Sequence, residues 1–131
     1  MLAGALRAMS SAGVPDEAVE VHWVPGSFEL PQAALTLARS RRFAGVVCVG
    51  VVIKGATPHF DYVCSVAAHG IARAGLDTGV AVTFGVITAL TEEQAWERAG
   101  GAVGNRGEEA ALAALEMAGW LRGQRRRRGK R

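Results

Sequence analysis

A histidine that follows a turn of small residues at the end of an apolar run is the clearest chemical feature of the chain. Residues 46–63 read VVCVGVVIKGATPHFDYV. Gly55 and Ala56 allow a ligand to approach the backbone closely, Thr57 supplies a hydroxyl, and Pro58 suits a helix opening. His59 is the proton carrier on offer, histidine being the side-chain type most often used to move protons. A second candidate lies upstream in VPGSFELP, residues 24–31. There a Pro-Gly turn leads into a helix start, where the amides of Ser27 and Phe28 can donate to a ligand carbonyl and Glu29 can accept from hydroxyls. Spacing alone favours a plainer role for Glu29, an acid stabilising the first helical turn.

These residues need elements to hold them. Val46, Val47, Val49, Val51, Val52 and Ile53 are β-branched without polar alternation, the pattern of a strand covered on both faces of a parallel sheet. Residues 54–59 then fall beyond a strand's carboxyl end, where open α/β sheets bind ligands. Before it, residues 2–9 form a helix with Leu2, Ala5, Leu6 and Met9 on one face, and residues 19–24 alternate as a short strand with His22 on its outer side. The helix opened by Ser27 continues through Ala33, Ala34, Leu37 and Ala38 and closes at Arg39, Arg41 and Arg42. After the central strand come an Ala-rich helix over 60–74, with His69 structural or facing solvent, and a strand over 80–86 with Phe84 near its end. Thr91 and Gln94 have the spacing of a capping box for a helix that carries Trp96, Glu97 and Arg98 and stops at Gly100 and Gly101. GNRG, residues 104–107, introduces the last helix over 108–121. Strands alternating with helices predict an α/β fold whose parallel sheet has helices on both faces. Three strands make a thin sheet, and the chain opens on a helix where a doubly wound domain opens on a strand.

At 131 residues the chain is expected to be one domain over 1–121 with a disordered basic tail over 122–131. No apolar run reaches the roughly 18 residues of a membrane span and no signal-peptide pattern is present, so a soluble cytoplasmic protein is expected. Cys48 and Cys64 form neither a disulfide framework nor a zinc pattern and read as small buried hydrophobes. Seven of the fifteen basic residues lie in the tail, leaving eight basic residues against twelve acidic ones in 1–121. The body is thus mildly acidic, and nucleic-acid binding is not expected beyond non-specific contact by the tail.

Taken in order, VPGSFELP, GVVIKGATPHFDYV, FGVITALTEEQAWERAG and GNRGEEAALAALEM resemble the lumazine synthases over about residues 2–120. The resemblance implies a flavodoxin-like three-layer α/β/α sandwich. It implies the penultimate step of riboflavin synthesis, in which 5-amino-6-(ribitylamino)uracil condenses with 3,4-dihydroxy-2-butanone 4-phosphate to give 6,7-dimethyl-8-ribityllumazine, phosphate and water. It also implies a pocket between neighbouring subunits of a homopentamer, which can assemble further into decamers or icosahedral 60-subunit shells. By the same resemblance, His59 moves protons, and Glu97 is a candidate to orient it. Ser27 and Phe28 border the pyrimidine and ribityl chain, and Glu29 accepts from ribityl hydroxyls, which displaces the dipole role. Val51, Val52 and Ile53 lie beside the pyrimidine, and Ala56 and Thr57 receive the phosphate. From the adjacent subunit, Phe84 forms an aromatic wall and Arg98 binds phosphate; Arg106 stands where the family often has a lysine. No cofactor and no metal are expected.

Two departures from the family pattern carry expectations. Members begin with a strand ending in an aromatic residue that stacks on the pyrimidine, whereas this sequence begins at the following helix. A flavodoxin-like sheet would then lack its central first strand, leaving a gap beside residues 19–24 with unpaired backbone groups, each costing about 1 to 3 kcal/mol. A truncated start is the expected reason, and restoring upstream residues is expected to raise stability. Ala102 also stands where many members place a lysine. Two alternatives remain open on the sequence: a catalytically impaired flavin-binding, lumazine-binding or assembly-forming homologue, and a polyanion-binding module acting through Arg125 and its neighbours.

Overall fold

β-Branched runs and alanine-rich stripes set the architecture of the computed structural model, which describes residues 1–130. In chain order the elements are α1 (Leu2–Ser11), α2 (Leu30–Arg39), β1 (Gly45–Ile53), α3 (His59–Thr78), β2 (Ala81–Ala89), α4 (Glu92–Arg98), β3 (Ala99–Gly101), β4 (Gly104–Asn105) and α5 (Arg106–Gly129). Short 3-10 turns occupy Asp16–Ala18 and Ser27–Glu29.

β1 and β2 pair in parallel, from Gly45 opposite Ala81 to Ile53 opposite Ala89. Alternation along the strands sends side chains to two faces. On one face Cys48 and Val86 pack with Ala34 of α2 and with Ile71 and Ala74 of α3. On the other, Val47 packs against a cluster of Ala5 and Ala8 from α1 and Ala111 from α5, and the Thr83 hydroxyl donates to the Ala110 carbonyl at 2.8 Å. The result is the expected three-layer sandwich, consistent with a flavodoxin-like fold. Small residues dominate the interior: Ala34, Ala38, Ala67 and Ala111 are all essentially inaccessible, which lets the helices approach the sheet and one another closely.

Residues 19–24 differ from expectation. They run extended but join no sheet, because no strand lies within hydrogen-bonding reach of them. Between them and β1 is an apolar slot of about 850 Å³, lined by Val19, Val21, Leu6, Leu37, Val47 and Val49 among others. The expected gap is therefore present, and β1 is paired on one side only. What holds the outer segment is polar. Arg42 donates to the Glu20 carboxylate at 3.0 Å, and His22 lies 2.9 Å from the other carboxylate oxygen. The His22 hydrogen bond, then Arg42, holds the Glu20 carboxyl below its ordinary pKa.

Two further features were not anticipated. Residues 99–105 form a small antiparallel hairpin of β3 and β4 that turns at Ala102 and Val103, with Gly100 (φ 118°) and Gly104 (φ 129°) in its strands in a region that glycine occupies without strain. The basic tail, expected to be disordered beyond Leu121, instead continues α5 as helix to Gly129, and Arg131 lies outside the described residues. Arg125 donates to the Gly79 carbonyl at 2.7 Å, where α3 ends in a left-handed glycine (φ 71°), and this ties the extension to the body.

Candidate functional site

The carboxyl end of β1 makes the first half of the candidate site. Val51 and Ile53 are 47% and 41% exposed there, whereas Cys48 in mid-strand is buried. The last rung beyond the strand is the Lys54 amide donating to the Ala89 carbonyl at 2.9 Å. Residues 54–58, including Ala56 and Thr57, then leave the sheet as an exposed loop. Pro58 caps α3 and turns the chain, with the Asp61 amide donating to the Pro58 carbonyl at 2.9 Å. His59 is thereby the first residue of α3, exposed and free of any side-chain hydrogen bond among the described residues.

The turn Ser27–Glu29 packs against both β1 and α3, which places it beside the same strand end. Gly50 makes the approach possible. A Cβ built on Gly50 would lie 2.8 Å from the Ser27 hydroxyl oxygen, so a larger residue there would force the Ser27 side chain to move. Gly50 was not singled out in the sequence, although a glycine inside a β-branched run is the signal for such an approach. As the first residues of a 3-10 turn, Ser27 and Phe28 have amides without intrahelical acceptors. The Glu29 amide returns to the Gly26 carbonyl at 3.2 Å, and its carboxylate folds back over Gly26. Val52 points to the α2 and α3 side, where it packs against the core.

The second half lies elsewhere on the chain. Phe84 pairs in register with Cys48, away from the strand end, and is 42% exposed although Val82 and Val86 on the same face pack into the core. Arg98 closes α4 and donates to the Gln94 carbonyl at 3.1 Å and the Glu97 carboxylate at 3.4 Å. Glu97 therefore pairs with Arg98, and the expected orientation of His59 by Glu97 is not among the contacts within one chain. Arg106 opens α5 and pairs with Glu109, one of two acids in that first turn, which offset an arginine at the positive end of a helix. Asn105 caps the same turn by accepting from the Glu108 amide at 3.1 Å.

Neither cysteine is a ready nucleophile. Burial pushes the Cys48 thiol up to about 12, and burial with the nearby Asp61 carboxylate raises that of Cys64. The chemistry on offer is proton transfer at His59 and anion or carbonyl recognition by backbone amides and arginines.

The sequence matches the family model described as 6,7-dimethyl-8-ribityllumazine synthase over residues 1–122. A curated protein of Syntrophus aciditrophicus (strain SB), named 6,7-dimethyl-8-ribityllumazine synthase, is 52% identical over 122 residues, covering 93% of this chain and 79% of that relative. The match spans every candidate residue described above and ends at Arg122, the first residue of the basic extension. The chain belongs to the 6,7-dimethyl-8-ribityllumazine synthase family.

Proposed function

We propose that this protein is a transferase that condenses 5-amino-6-(ribitylamino)uracil with 3,4-dihydroxy-2-butanone 4-phosphate, releasing phosphate and water and forming 6,7-dimethyl-8-ribityllumazine. The observation that carries the reading is family membership over residues 1–122, supported by the Ser27–Glu29 turn packing on β1 and α3 and by His59 opening α3 just beyond the exposed end of β1. The amides of Ser27 and Phe28 hold the uracil edge, Glu29 accepts from ribityl hydroxyls, and the end of β1 at Val51, Val52 and Ile53 runs beside the ring. His59 carries protons as the amine and ketone form an imine, phosphate leaves and the ring closes, work suited to an unencumbered imidazole. Ala56 and Thr57 receive the phosphate.

The active unit is a homo-oligomer, a pentamer, in which Phe84, Arg98 and Arg106 of a neighbouring copy complete the site. Two observations support this. Arg98 turns to the Gln94 carbonyl and the Glu97 carboxylate and makes no hydrogen bond or ion pair with His59 among the described residues, and all three tryptophans are exposed, Trp23 at 83% and Trp96 at 69%, as residues that pack against a neighbouring copy would be. An arginine from a neighbour suits a phosphate dianion through its planar fork. Mixing tests the shared site. His59→Ala and Arg98→Ala chains, each impaired in lumazine formation, regain activity when unfolded and refolded together, because some interfaces then carry both native residues. A mixture no more active than the two separate variants would contradict a site shared between copies.

A further inference from the structure

The strongest feature left unused by this reading is the end of α5. From the last residue of the family match onward, residues 122–130 carry Arg122, Arg125, Arg126, Arg127, Arg128 and Lys130 with no acid among them, the last acidic residue being Glu116. All six are exposed, and none takes part in an ion pair among the described residues. Arg125 alone has a partner, the neutral Gly79 carbonyl. The cations remain unneutralised on an ordered helix, while residues 1–121 carry an excess of acid.

We infer that this helical end binds nucleic acid through its phosphate backbone, without sequence preference. Its arrangement decides between polyanions. At about 100° per residue, Arg122, Arg125, Arg126, Arg127 and Arg128 surround the helix and leave no sector wider than roughly 100° uncharged. The other residues of 122–130 are Gly123, Gln124 and Gly129, so the helix has no apolar face to lie in a membrane surface. Charge on all sides fits a site where phosphates surround the helix, as when a helix of about 10 to 12 Å diameter enters a groove about 12 Å wide with a strand on either side. Arginine suits such contacts because its fork grips phosphate oxygens in pairs. The negative end of the α5 dipole favours these cations and so keeps the last turns helical before any partner arrives.

The test is fluorescence anisotropy with the full chain and labelled oligomers of about 20 units, one a duplex DNA and one a single-stranded RNA of arbitrary sequence. The comparison is with the quadruple variant Arg125→Gln, Arg126→Gln, Arg127→Gln, Arg128→Gln, which keeps helix-forming side chains and alters no residue of the proposed active site. Binding by the native chain is expected to weaken steeply with salt, with a log–log slope of about −4 on duplex. The variant is expected to bind at least tenfold more weakly, with a slope reduced to about −1, while lumazine formation stays unchanged. Tighter binding to duplex than to single strand supports the groove arrangement, and the reverse assigns the site to single strands. Equal affinity of native chain and variant overturns the inference, as does binding of anionic lipid vesicles without binding of either oligomer. Salt-sensitive association between copies of the protein, with no oligomer bound, also overturns it, because the acidic bodies would then be the partner.

Discussion

His59 owes its availability to position. As the first residue of α3, behind Pro58 and an exposed loop, its imidazole is held by the helix backbone and by no side chain. His59→Ala is expected to slow condensation by about 10- to 100-fold rather than abolish it, because holding two reactive substrates together supplies much of the rate. A variant with native turnover would remove His59 from the reaction. Cys48 makes a different prediction. Its folded-state pKa of about 12 lies above the thiol's ordinary value of 9.0, so above pH 9 the unfolded chain loses a proton that the folded chain retains. By linkage, stability falls as pH rises through that window, by about 1.4 kcal/mol between pH 8 and pH 10. Chemical denaturation at the two pH values should show that loss in the native protein and a smaller one in Cys48→Ala; equal losses would mean that Cys48 is not the group responsible. The turn at Ser27, the helix opening at Pro58 and His59 and the Thr91 cap were legible in the sequence because each depends on a few neighbouring residues. The Gln94 amide indeed donates to the Thr91 hydroxyl at 3.2 Å. The partner of Glu97 was not legible, since it depends on which way two adjacent side chains turn at the end of α4.

Among the elements, periodicity identified every helix of the sandwich and both paired strands, and it erred where pairing depends on something outside the segment. Residues 19–24 have the right alternation for a strand, yet a strand exists only by bonding to a neighbour, and the slot separates them from β1. The glycine-rich hairpin of β3 and β4 gave no β-branched signal, and the arginine tail read as disorder because its composition lacks an apolar face. The slot has a direct consequence for β1. Alternate β1 amides pointing away from β2 lack a backbone partner and should exchange with solvent deuterium orders of magnitude faster than those bonded to β2. Uniform protection along β1 would show that the slot is closed in solution.

For the whole molecule, the two faces of β1 and β2 are covered by helices, but the flank of the sheet is open and the tryptophans are exposed. Family membership covers the body, and the cationic end of α5 stands outside it. The central claim is that this body, slot included, assembles a working lumazine-forming site. The measurement that tests it most directly is the condensation assay on the 131-residue chain, following appearance of the lumazine chromophore from the two substrates above the uncatalysed rate. Turnover that depends on His59 is the predicted result. A chain that is folded and oligomeric, binds the uracil substrate, and forms lumazine no faster than the substrates do alone would contradict it and make the protein a binding or assembly homologue.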